Sequence, residues 1–159
     1  TVNGNGYTIQ QTGGSNIICN SSNATIYIKN GKFIGGNDPT IINTNGGSVY
    51  IQDGTYITGN QIIQNTGSNC YIQDGEIKAS GSTQALFAGK VYMTGGTLSS
   101  SAKGDKDTMI AEGYAADNAE ITGGTIKDNK YGIQLFTNAG NSPVIGGNVN
   151  LKIMLMTFI

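Results

Sequence analysis

The five residues Tyr-Ile-Gln-Asp-Gly stand twice in this chain of 159 residues, at 50–54 and again at 71–75, starting 21 residues apart. A chain that writes one strand-like segment and its turn at a fixed interval is built from units that stack on one another. Alignment on the closing glycine extends the series. IYIKNGKF begins at Ile26, VYIQDGTYI at Val49, CYIQDGEIK at Cys70, VYMTGGTLS at Val91, AEITGGTIK at Ala119 and SPVIGGNVN at Ser142. The closing glycines Gly31, Gly54, Gly75, Gly96, Gly124 and Gly147 are spaced by 23, 21, 21, 28 and 23 residues. A weaker first copy, VNGNGYTI, covers Val2 to Ile9.

Strand alternation sorts the copies into columns. One inward column is Ile26, Val49, Cys70, Val91, Ala119 and Ser142. The next is Ile28, Ile51, Ile72, Met93, Ile121 and Val144. Beyond the turn the column reads Phe33, Tyr56, Ile77, Leu98, Ile126 and Val149. A third apolar patch recurs in each unit, as at Ile17-Ile18, Ile41-Ile42, Ile62-Ile63 and Leu86-Phe87. A unit this short cannot bury its own apolar face and must rest on the next. The reading is all-β: a single-domain, right-handed parallel β-helix, a solenoid of about seven rungs of ~21–25 residues with three short strands each, spanning on the order of 30 Å. Residues 1–150 form the solenoid. The apolar segment 151–159, LKIMLMTFI, departs from the pattern and is expected to serve as a terminal strand, a cap or an inter-subunit contact.

Composition agrees. The chain holds 25 Gly, 2 Pro and only 12% charged residues, a balance that disfavours helices and suits β-branched strands joined by Gly and Asn turns. The net charge is −1 and all nine basic residues are Lys. With no basic stripe to neutralise phosphates, nucleic acid is not an expected partner. No apolar run is long enough for a membrane span. A start at Thr1 without Met points to a processed chain or a piece of a longer one. Cys19 and Cys70 are too few for a disulfide framework and are expected as small buried thiols. The insertion at 101–108, SAKGDKDT, is expected to project as a charged loop.

The Gly-Gly-Thr-[Ile/Leu] corners at 95–98 and 123–126 resemble those of right-handed β-helix proteins of pectate-lyase-like architecture. They also resemble the β-helical repeats of bacterial surface and adhesin-type proteins. The resemblance covers roughly residues 26–149 and implies an architecture shared by enzymes that cleave polysaccharides, proteins that bind them, and adhesin stalks. Enzymes of that type use Arg or Lys as base beside carboxylate-held calcium, or several Asp with His and Arg. This chain has no His and no Arg. Asp53 and Asp74 form one stacked pair, with Glu76 beside them, and are read as turn residues before they are read as an acid and base. Asp105, Asp107 and Glu112 fall short of the oxygen ligands calcium needs. No cofactor or metal is expected.

One outward column stands apart: Tyr27, Tyr50, Tyr71 and Tyr92, continued by Glu120 and Pro143. Gln52 and Gln73 share its face. Stacked tyrosines stabilise a sheet, and they also present aromatic carbon beside hydroxyls, which suits sugars and protein partners. The functional expectation is a non-catalytic module, extracellular or at the cell surface, that binds polysaccharide or a surface protein through Tyr27, Tyr50, Tyr71, Tyr92, Gln52 and Gln73. The alternatives are a structural protein that self-associates through the helix ends into head-to-tail filaments, and a polysaccharide lyase or glycoside hydrolase. Ice binding wants a regular Thr-x-Thr ladder that is not written here.

Overall fold

The structure is a computed structural model that describes residues 1–14, 16–36, 40–43, 47–59, 62–80, 86–100, 108–112, 119–128, 131–134 and 144–152. Among these residues it is all-β, without helix, and its sixteen strands form one parallel sheet wound into a solenoid. The first turn is thin: β1 (Val2–Asn3), β2 (Thr8–Gln10) and β3 (Ile18–Asn20). Then come β4 (Ile26–Lys29), β5 (Gly31–Ile34) and β6 (Ile41–Asn43), followed by β7 (Val49–Ile51) and β8 (Thr55–Gly59). β9 (Ile63–Ile72), β10 (Glu76–Ala79), β11 (Leu86–Met93), β12 (Thr97–Ser100) and β13 (Thr108–Glu112) continue the winding. β14 (Ala119–Lys127), β15 (Tyr131–Gln134) and β16 (Val144–Lys152) complete it.

Three parallel ladders result. The first runs β1-β4-β7-β9-β11-β14-β16, and the second β2-β5-β8-β10-β12-β14. The third runs β3-β6-β9-β11-β13-β15. β9 and β11 each round a corner without a break, so one strand serves the third ladder and then the first. Among the described residues the solenoid amounts to about four well-developed turns, against the seven expected. The opening strands are only two or three residues long.

The core is a stack of identical columns. Ile28, Ile51, Ile72, Met93 and Ile121 lie above one another and are fully buried. Beside them run Ile26, Val49, Cys70, Val91 and Ala119. Each such Ile or Val contributes roughly 1.5–3 kcal/mol by leaving water.

The column beyond the turn differs from the sequence expectation in one member. Phe33 pairs with Ile57 and Ile57 with Ile77, so Ile57, not Tyr56, enters the core. The corner after Ile51 holds one residue more than its neighbours. Thr55 absorbs it by turning inward, where its hydroxyl donates to the Ile28 carbonyl at 3.1 Å. Tyr56 faces outward, with the Lys32 ammonium 5.4 Å from its ring centroid.

The corners carry the left-handed backbone that their glycines imply, with one exchange. Gly75 has φ +91°, but in the Asn30-Gly31 corner it is Asn30 that takes the positive φ, at 51°. Gly31 is instead buried, where a Cβ would sit 3.2 Å from the Phe33 ring.

The last unit is also shifted. Ile145 pairs with Ile121 and Leu151 with Ile126, the places expected for Val144 and Val149. The register is already one residue off at Ile121, which leaves Val144 opposite Glu120 in the outward column and 56% exposed, and a bulge between Ile121 and Gly123 adds a second residue. β16 extends the ladder through Lys152, into the segment read as a separate tail. Residues 153–159 and the insertion at 101–107 lie outside the described residues.

Candidate functional site

Alternation on β4, β7, β9 and β11 sets a tyrosine between two inward residues in each strand, so its side chain points out. Parallel register then repeats the position: Tyr27 pairs with Tyr50, Tyr50 with Tyr71, and Tyr71 with Tyr92. The rings stack. Their centroids are 4.8, 4.3 and 4.7 Å apart, with planes 18°, 5° and 5° from parallel. These distances follow the strand spacing of about 4.8 Å.

Stacking changes what the column offers. Each ring turns its faces to its neighbours and its edge and hydroxyl to solvent. The result is a ridge of phenol groups in file. Tyr27, at the head of the column, is 38% exposed, and the three that follow are half-buried.

The other two predicted residues join this ridge. The Gln52 side-chain amide donates to the Gln73 side-chain oxygen at 3.0 Å, a polar ladder beside the aromatic one. On the opposite flank the Asn69 amide donates to the Tyr71 hydroxyl at 3.2 Å. Lys90 holds its ammonium 4.5 Å from the Tyr92 ring centroid. Asn69 and Lys90 were not among the residues singled out from sequence, although both lie two positions before a tyrosine and therefore on its face. The column continues to Glu120, opposite Tyr92, and then to Val144. Pro143, expected there, lies outside the described residues.

The Tyr50 pKa is raised above the ordinary tyrosine value, first by desolvation between its neighbours. The charges that Tyr71 and Tyr27 would carry if ionised add to this, as does a hydrogen bond with Tyr71. Its hydroxyl therefore remains a donor at any physiological pH.

The carboxylates once weighed as acid and base belong to the corners. Asp74 accepts from the Gly75 amide at 2.7 Å, and the Asp53 carbonyl accepts from the Asn30 amide at 3.0 Å. Glu76 stands on the second ladder opposite Tyr56. Among the described residues no three His, Cys, Asp or Glu come together as metal ligands. Asp105 and Asp107 lie outside the described residues, as does the Glu112 side chain.

The two thiols differ, contrary to the expectation that both are buried. Cys70 is enclosed in the core, and burial pushes its pKa up to about 12. Cys19 is exposed, because alternation on β3 turns Ile18 toward the interior and its successor outward.

No protein-family model, curated protein or solved structure matches the chain.

Proposed function

We propose that this β-solenoid is a non-catalytic module that binds an extended polysaccharide along the ridge formed by Tyr27, Tyr50, Tyr71 and Tyr92 with Gln52 and Gln73. The observation that carries the reading is the repetition of one chemical pattern in register. A phenol hydroxyl recurs at every strand, with ring centroids 4.3–4.8 Å apart, and an amide ladder runs beside it. A polymer of sugars also repeats its hydroxyls along a line, so one rung after another meets the same partner. Each contact is weak, and their number supplies the affinity. The solenoid is taken to be of the right-handed, pectate-lyase-like type. On the likeness to β-helical surface repeats, its place is outside the cell or on the cell surface.

A glycan array tests the reading, followed by binding measurements on three variants. Because the ring faces are already paired, recognition rests on the hydroxyls and amides. Tyr50→Phe/Tyr71→Phe is therefore expected to lose binding although it keeps the stack. Gln52→Ala/Gln73→Ala is expected to weaken it, and Lys32→Ala, off the ridge, to leave it unchanged. Retention of no glycan at all, or full binding by the Phe variant, overturns the proposal.

End-to-end self-association is the second reading. It is favoured by large apolar side chains exposed on the outermost described strands and turns, Tyr7 and Ile9 at one end and Val144 and Ile145 at the other. Further rungs of a longer chain would cover the same residues equally. Sedimentation across a concentration series separates the two: assembly that Ile9→Lys abolishes supports filaments, and a monomer at all concentrations removes them. A lyase or hydrolase is the weaker reading, since Asp74 already engages its own corner.

A further inference from the structure

We propose that the tyrosine column is a site of oxidative cross-linking, at which a peroxidase-type one-electron oxidant acting with hydrogen peroxide joins Tyr50 to Tyr71 through a dityrosine bond.

Register supplies the proximity. Tyr50 and Tyr71 occupy directly paired positions on adjacent strands, and their ring centroids, at 4.3 Å, are the closest in the column. With the planes 5° from parallel and the centroids 4.3 Å apart, the two rings overlap face to face, which brings their ortho edges within reach of one another. The outer ring edges, which carry those carbons, face solvent. The two rings can lean together there without disturbing the core on the other side of the sheet.

The surrounding residues leave the column as the readiest electron donor on this face. The chain has no Trp and no His. Cys70 and Met93, oxidisable side chains on β9 and β11 themselves, are fully buried behind the sheet. An electron removed from Tyr27 or Tyr92 can be replaced from the ring in contact with it, so oxidation anywhere in the stack reaches the central pair. Cys19, exposed on a different ladder, is the competitor to control.

The chemistry balances. Each phenol gives up one electron and its hydroxyl proton, leaving a radical whose unpaired electron is shared with the ortho carbons. Two ortho carbons form a C–C bond. Each then releases its hydrogen as a proton, and each oxygen takes a proton back. In sum two aromatic C–H bonds break, one C–C bond forms, and two electrons and two protons pass to one hydrogen peroxide, which becomes two waters. The product staples β7 to β9 covalently across one turn of the solenoid.

The test treats the chain with horseradish peroxidase and hydrogen peroxide, then separates it on a reducing denaturing gel so that Cys19 disulfides do not contribute. Dityrosine fluorescence is expected in the monomer band. Cleavage before Asp53 then leaves Tyr50 and Tyr71 on separate peptides, held together only by the new bond. Tyr50→Phe/Tyr92→Phe keeps the rings stacked but leaves no two tyrosines adjacent in the column, and is expected to lose the monomer signal. Tyr7→Phe/Tyr56→Phe removes as many tyrosines from outside the column and is expected to retain it. Fluorescence confined to covalent dimers overturns the proposal, as does an undiminished signal in Tyr50→Phe/Tyr92→Phe. Absence of coupling where free tyrosine couples under the same conditions also overturns it. None of these outcomes depends on whether the ridge binds a glycan.

Discussion

Tyr50 lies directly above Tyr71, paired with it across β7 and β9, with ring centroids 4.3 Å apart and planes 5° from parallel. Both belong to the repeated pentapeptide. The repetition thus produces an aromatic contact outside the sheet at the same step where Ile51 and Ile72 meet inside it. The outer contact follows from the register that pairs the two residues and adds a cross-strand aromatic pair to the sheet.

Tyr71 stacks on a ring at each side, so Tyr71→Ala is expected to lower stability by about 1–2 kcal/mol. Tyr71→Phe keeps both contacts and is expected to change it by less than about 0.5 kcal/mol. Urea unfolding of the two variants measures the difference. Equal effects would mean that the stack is held by the hydroxyls and not by the rings.

Ile72 is fully buried in the central column, whereas Val144 is 56% exposed on the shifted last strand. Ile72→Ala should cost about 2–5 kcal/mol, with the cavity as the added term. Val144→Ala should cost no more than about 0.5 kcal/mol, as at an ordinary surface site. A large loss at Val144, read by thermal unfolding, would contradict its outward place opposite Glu120.

Gly75 sits at φ +91°, and a Cβ there would approach the Thr55 carbonyl oxygen to 2.7 Å. Gly75→Ala is therefore expected to cost about 1–3 kcal/mol through backbone strain and contact together. Asn30 already holds φ 51° with a side chain, so Asn30→Gly should leave the midpoint of denaturation almost unmoved.

Alkaline pH should weaken the fold. Both Cys70 and Tyr50 bind their proton more tightly when folded than in the unfolded chain, where a thiol and a phenol have their ordinary values of 9.0 and 10.0. Below pH 9.0 both are protonated in either state and the full stability is present. Above it the unfolded chain releases protons first, and stability falls as pH rises toward the folded Cys70 value of about 12. Cys70→Ala should flatten this decline, measured by denaturation between pH 8 and 11 (a range set about the reference thiol and phenol values). In the native chain a thiol reagent should label Cys19 at once and Cys70 only on unfolding.

The parts of the fold that could be read from the chain are those governed by short-range alternation. The inward run Ile28, Ile51, Ile72 and Met93 and the outward run of tyrosines follow from period two and a recurring pentapeptide, and both are found in register. Gln52 and Gln73 fell into place for the same reason. Three details did not follow. Asn-Gly permits positive φ at either residue, and here Asn30 takes it while Gly31 packs against the Gly4 backbone and the Phe33 ring. Tyr56 and Ile57 are both apolar enough for a core, and Phe33 below with Ile77 above select Ile57. In the last unit the register stands one residue off before the bulge and two after it, which puts Ile145 and Leu151 in the places of Val144 and Val149.

Alternation and turn chemistry are properties of a few consecutive residues, so the text of the chain already contains the strands, their inner and outer sides, the corners and the order of stacking. Register and ring attitude depend on the neighbouring turns, some 20 residues away in sequence and one strand spacing of about 4.8 Å away in space. Only the folded solenoid decides that Thr55 turns in, that Cys19 turns out, and that the tyrosines meet face to face and offer their hydroxyl edges to the solvent.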